Sequence, residues 1–245
     1  MTESLKVIHT ETIKRLLKDV RQIIRHPLTD NGIYYSHDDS DCSKGYAMIM
    51  GPSDTPYFGG YYFFKFDYPN DYPYTPPHVT YMTNDGTTRF NPNLYKCGKV
   101  CVSILNTWSG DKWSSCQTIN SVLLTLCSLL NDAPLENEPG QTKGSRDFVP
   151  YQKSIEFKNI DFSICDMILK QKIPEPFQMF YPFIIQQFIN NYNKLLAFVQ
   201  SHKSNELSNQ IVHIYNMNTH INYLNLEKKL IRTKEFVDSQ KEKLP

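Results

Sequence analysis

Residues 91–113 read NPNLYKCGKVCVSILNTWSGDKW, and the chain is organised around them. An Asn-Pro-Asn turn, Asn91 to Asn93, opens the stretch, and Pro92 fixes its backbone. Cys101 follows, then a short apolar run from Val102 to Leu105, then Trp108 and Trp113. A cysteine set between a rigid turn and an apolar run suits a presented nucleophile, and Cys101 is read as one. The two tryptophans are expected to pack the core and its loops.

The whole chain is compatible with that chemistry. Its 245 residues carry a net charge of +1 and 40% hydrophobic residues, enough for one substantial domain and an extension. So small a net charge gives no general attraction to nucleic acid or membrane. No apolar run approaches the roughly 20 residues that span a bilayer. The opening residues MTESLKVIHTETIKRLLKDV lack the apolar region of a signal peptide. The expected location is cytoplasmic, and also nuclear, in a reducing compartment. The 6 cysteines are scattered, without the dense spacing of a disulfide framework. Cys97 and Cys101 form a C-x3-C pair, but no second Cys/His pair completes a four-ligand metal site, so no metal is expected. Cys127 and Cys165 lie in apolar surroundings and read as packed thiols. A thiol hydrolase would hold a histidine against its cysteine, and the nearest preceding histidine in sequence, His78, lies well upstream.

Outward from the cysteine, periodicity places the elements. Residues 10–26 predict an amphipathic helix with an apolar stripe of Ile13, Leu16, Leu17, Val20 and Ile24, Thr10 as its cap and Pro27 as its stop. Lys14, Lys18, Arg21 and Arg25 share the other face, either a solvated surface or a dock for an acidic partner. Residues 31–44 are polar, acidic and turn-rich, which predicts a loop. Residues 46–50, 60–67 and 78–82 predict strands, the second rich in aromatics. Pro69, Pro73, Pro76 and Pro77 make the connection before the last of them irregular. Residues 116–131 predict a second helix, capped by Ser114 or Ser115. Residues 131–144 predict a loop, 147–172 and 177–200 helices, 201–210 a polar linker, and 211–243 helix again. Alone, these patterns give an α+β fold with two helices around a small sheet and a helical tail.

Several pieces together carry a family resemblance. PYFGGYYFFKFDYPNDYPYTPP, the NPN turn, GKVCVSIL around Cys101, WSGDKWSS and TINSVLLTLCSLLNDAP fall in order and at the right spacing over residues 10–150. The chain resembles the ubiquitin-conjugating enzymes, most closely the large subgroup with RFNPNxYxxGKVCxSIL and NEPG, here Asn137-Glu138-Pro139-Gly140. The resemblance implies an N-terminal helix, a four-stranded antiparallel meander, a catalytic loop and a second helix. That core would fill residues 1–150, with a helical C-terminal extension over 151–245.

The resemblance also implies the chemistry. Cys101 would accept ubiquitin or a ubiquitin-like modifier as a thioester from the activating enzyme. It would pass the acyl group to a substrate lysine with a ubiquitin ligase. Thiolate suits both transfers, as a good nucleophile and a good leaving group. The role requires the thiol to be reachable from solvent. No cofactor is implied, since ATP is used by the activating enzyme. Asn93 would stabilise the oxyanion of amine attack or brace its own loop. Asn91 stands where the family has a structural histidine. Glu138, with Asn137 second, would orient or deprotonate the incoming lysine. Lys14, Lys18 and Arg21 would meet the activating enzyme. Tyr74 would anchor a ligase, as would the loop at Ser115, although Ser114-Ser115-Cys116 lacks the proline usual there. The alternative reading is an inactive protein of the same fold that binds ligases without thioester chemistry; such variants lack the cysteine.

Overall fold

The computed structural model describes residues 9–203 and 207–241. Residues 1–8, part of the expected linker near 205, and the end of the expected last helix lie outside the described residues.

The first helix, α1, spans Thr10–Arg25 and ends before Pro27, and its N-cap is His9 rather than the expected Thr10. Its buried face is Thr12, Leu16, Asp19 and Ile23. The expected stripe is therefore displaced, and Leu17 and Ile24 are 50% and 73% exposed. Two polar residues turn the helix. The Thr12 hydroxyl donates to the carbonyls of Asn70 and Tyr72 at 2.6 and 2.9 Å. Asp19 accepts from the Tyr72 hydroxyl at 2.5 Å and pairs with Arg15 at 3.0 Å. Buried polar groups go where partners exist, so the proline-rich loop sets the rotation of the helix.

Strands β1 (Ile33–His37), β2 (Lys44–Met50), β3 (Tyr61–Asp67) and β4 (His78–Tyr81) form an antiparallel meander in sequence order. The expected loop over residues 31–44 thus contains an edge strand. Tyr34 pairs with Met48, and Met48 in turn with Phe63, so these residues share one face. On the other face Tyr35 aligns with Ala47 and Phe64. Tyr61, Tyr62, Phe63, Phe64 and Phe66 are all buried. A strand buried on both sides reads as a continuous apolar run rather than an alternation.

Helix α2 spans Ile119–Ser128. Its cap is Thr118 rather than Ser114 or Ser115: Thr118 accepts from the Ser121 amide at 3.3 Å, and its own amide donates to Ser121 Oγ at 2.8 Å.

The rest of the chain packs on this core. Helix α3 (Phe148–Lys158) runs on through a π-helical segment, Asn159–Asp166, into the short α4 (Met167–Leu169). The expected domain boundary at residue 150 falls inside α3. A 3-10 turn, Glu175–Phe180, leads into α5 (Tyr181–Ser201). Phe177 seats its ring 5.5 Å from Tyr46 and 5.0 Å from Phe63. Phe183 lies 5.1 Å from Tyr34, and the Tyr61 hydroxyl donates to the Ile184 carbonyl at 2.9 Å. The extension therefore roofs the face bearing Tyr34, Tyr46, Tyr61 and Phe63.

The extension is not wholly helical. Where a linker and then helix are expected, β5 (Ser208–Val212) and β6 (Met217–Ile221) form a hairpin before α6 (Tyr223–Lys241). Asn216 takes the left-handed conformation, φ 48°, that the turn needs. Met217, Thr219 and Ile221 face inward while Asn218 and His220 face out. On α6, Lys229 pairs with Asp161 and, at 2.7 Å, with Asp166 of the π-helical segment. No helix among the described residues is long and apolar enough to cross a membrane.

Candidate active site

Two short turns place Cys101. The first is Asn91–Asn93. The Asn91 amide nitrogen donates to the Tyr57 hydroxyl at 3.0 Å and the Leu129 carbonyl at 2.7 Å, and its oxygen accepts from the Asn93 amide at 3.0 Å. The side chain is 0% exposed, so this residue is a structural bracket, as the resemblance implies. The second turn runs from Tyr95 to Lys99. Its Gly98 has φ 89°, and a Cβ there would sit 3.0 Å from Thr80 Cγ2. Glycine is required both for that dihedral and for the close approach to β4.

Just after these turns Cys101 is locked to Asn93. The Cys101 amide donates to the Asn93 carbonyl at 2.9 Å. The Asn93 side-chain nitrogen returns a bond to the Cys101 carbonyl at 2.6 Å. A carboxamide carries two N–H donors, so one remains for another acceptor. Beyond the cysteine, the Thr107 hydroxyl takes the Val102 amide at 2.9 Å, and Asn106 accepts from the Trp113 amide at 2.9 Å. Trp113 is buried, and its indole N–H donates to the Pro73 carbonyl at 2.7 Å. Trp108 does not pack as expected; it lies exposed on the same loop.

Cys101 is 2% exposed. This corrects the expectation of a freely reachable thiol. Tight pairing to Asn93 on one side and the knitted Val102–Thr107 loop on the other hold the residue beneath the surface. Val100, Leu105, Asn106 and Thr107, close to it in the chain, line a groove of about 780 Å³ with Pro76 and Pro77, and Cys101 itself is not among the lining residues. Cys97 and Cys116 are exposed. Cys127 and Cys165 are packed, and burial pushes the Cys165 thiol up to about 12.

The loop after α2 lies beside the turn. Asn137 donates to the Leu129 carbonyl at 3.1 Å, the same carbonyl that takes Asn91, and accepts from Asn131 at 2.9 Å. Both ends of its amide are thus engaged in the loop. Glu138 is half-buried and accepts from the Tyr215 hydroxyl at 2.8 Å. Arg89 closes the arrangement. Its guanidinium lies 3.3 Å from the Tyr95 ring centre and 5.2 Å from that of Tyr215. It also donates to the carbonyls of Asn91 and Pro92 at 3.2 and 2.5 Å. Among the described residues no group of three or more His, Cys, Asp or Glu is placed to hold a metal.

The remaining expected positions lie around α1. Lys14, Lys18 and Arg21 are exposed, Lys14 paired with Glu11 at 2.9 Å. Tyr74 is 79% exposed. Ser115 is exposed, and Arg15 donates to its carbonyl at 2.7 Å. The Trp113 bond to Pro73 joins the Tyr74 and Ser115 loops, so these positions share one end of the molecule. Sequence reading missed Arg89, Asp147, Tyr151 and Tyr215. Arg89 stands in the quoted RFNPN motif; the other three have no local pattern that marks them.

The ubiquitin-conjugating enzyme family model matches residues 15–160, more than half of the chain. The chain belongs to that family. It is 42% identical to human ubiquitin-conjugating enzyme E2 Z over 170 residues, which cover 68% of this chain and 48% of that protein. It is 35% identical over 161 residues to the probable ubiquitin-conjugating enzyme E2 26 of Arabidopsis thaliana, covering 64% of this chain and 28% of the relative. It is 33% identical over 170 residues to the probable ubiquitin-conjugating enzyme protein 17 of Caenorhabditis elegans, covering 64% and 23%. The chain spans about half the length, or less, of these relatives. As a ubiquitin-conjugating family member it has the expected helix, four-stranded meander and second helix, with a further extension built on the sheet.

Proposed function

We propose that this chain carries ubiquitin, or a ubiquitin-like modifier, as a thioester on Cys101. The Cys101 thiolate attacks the thioester held on the activating enzyme and expels that enzyme's thiolate, so the acyl bond stays activated. A lysine amine or a ligase cysteine then attacks, and the Cys101 thiolate leaves. ATP is spent by the activating enzyme alone. The observation that carries the reading is the family membership, with Cys101 held between two hydrogen bonds to Asn93. The groove beside Cys101 is a place for the extended end of the modifier. The spare N–H of Asn93 is a donor for the developing oxyanion. Glu138 takes or orients the amine proton. Lys14, Lys18 and Arg21 form the surface for the activating enzyme, and exposed Tyr74 with Ser115 the surface for a ligase. A free thiol that must stay unoxidised fits cytoplasm or nucleus.

At 2% exposure Cys101 falls short of the reachability that the carrier role requires, which favours a second reading, a non-catalytic binder of the same fold. One gel separates them. With activating enzyme, ATP and modifier, the full chain should form an adduct that thiol reductant removes and that Cys101→Ala abolishes. A chain that forms no adduct with ubiquitin or with any related modifier is the binder.

A further inference from the structure

The hairpin turn of the extension is anchored from several sides. The Asp147 carboxylate accepts the amides of His213 and Ile214 at 3.1 and 2.9 Å. The Arg89 amide donates to the Met217 sulfur at 3.2 Å. The Tyr215 ring lies 5.6 Å from that of Tyr151, whose hydroxyl donates to the Arg89 carbonyl at 2.8 Å. All of this holds one phenol in place, and that phenol reaches Glu138. Among the described residues no other hydrogen bond or ion pair holds the Glu138 side chain. Without Tyr215 it would be a loop glutamate free to change rotamer.

We propose that Tyr215 is a positioning residue for the transfer step. It fixes the Glu138 carboxylate through Oε2 and leaves Oε1 to meet the incoming lysine. The proposal rests on the reading of Glu138 as the carboxylate that handles the amine. Burial and the carboxylate itself raise the Tyr215 hydroxyl well above its usual range, so it stays protonated and remains the donor. Its ring faces Arg89, which is tied to the Asn91 and Pro92 carbonyls, so the same side chain braces both the turn and the carboxylate. Misplacing a reacting group by about 1 Å costs up to about 100-fold in rate. Losing the bond alone, with the ring still packed, should cost roughly 3- to 10-fold of that.

The test is single-turnover discharge of the loaded full chain to free lysine, for the parent, Tyr215→Phe, Glu138→Ala and the double variant. Phenylalanine keeps the ring on Arg89, and thermal melting verifies the fold. The expected result is normal loading by all four. Tyr215→Phe should slow discharge at saturating lysine without a matching rise in the lysine concentration needed. It should have no further effect once Glu138 is alanine. Independent, multiplying losses would overturn the proposal, since a merely structural tyrosine acts regardless of Glu138. So would Tyr215→Phe discharging at the parental rate while Glu138→Ala is slow. If Glu138→Ala itself discharges normally, the reading of Glu138 falls and takes the proposal with it. A chain that never loads removes both by removing the activity.

Discussion

Asn91 shows how a side chain's duty can be legible in sequence while its partners are not. The sequence places it at the family's histidine, and the structure gives its amide three partners in a fully buried pocket. Replacing it with alanine leaves the Asn93 amide without its acceptor, while the Leu129 carbonyl keeps Asn137 and the Tyr57 hydroxyl keeps the Phe90 carbonyl. An unsatisfied buried group costs about 1–3 kcal/mol, so Asn91→Ala should lose about 1–3 kcal/mol in urea unfolding. A loss under about 0.5 kcal/mol, the range of an ordinary surface change, would mean that the bracket is not structural. Cys101, Asn93 and Glu138 were likewise singled out by motif as candidates, because motif spacing survives in the linear chain. Their partners were not. Tyr215 lies 77 residues from Glu138, and a contact at that separation leaves no trace in local pattern.

Among the elements, α1 is the instructive error. Counting apolar residues alone selects Ile13, Leu16, Leu17, Val20 and Ile24, and of these only Leu16 belongs to the fully buried face. The fold instead buries Thr12 and Asp19, whose polar groups have partners on the proline-rich loop. The two faces give opposite outcomes. Leu16→Ala should cost about 3 kcal/mol, and Leu17→Ala should stay within about 0.5 kcal/mol. Equal losses in chemical denaturation would restore the face read from hydropathy. The exposed Leu17 and Ile24 lie on the helix that also bears Lys14, Lys18 and Arg21. The β5–β6 hairpin was missed for a different reason. Its alternation is carried by Met217, Thr219 and Ile221, one of them polar, and its turn is marked by a single asparagine. Strand β1 failed likewise: Ser36 and His37 follow its aromatics and blur the pattern.

For the molecule as a whole, the aromatic run of β3 carried more information than its strand assignment. Consecutive tyrosines and phenylalanines with no alternation imply cover on both faces. The second cover is the extension, through Phe177, Phe183 and Ile184. Phe177 lies outside the residues matched by the family model and is nonetheless fully buried. Phe177→Ala should therefore destabilise the entire fold by about 3–5 kcal/mol, in one cooperative transition. A separate early transition that leaves the remainder folded would show an appendage only loosely joined. The core was legible because its motifs are local and ordered. The docking of the extension was not, because it is written in pairings such as Tyr61 with Ile184 that only the folded chain brings together.

The tether from the hairpin to the loop beyond α2 makes charging and delivery separable by a single cut. A molecule clipped after α5 keeps the sulfur, the turn beside it and the roof over the sheet, but not Tyr215. On the proposed mechanism it would fill at the ordinary pace and then deliver many-fold more slowly, an occupied courier slow to hand over its parcel.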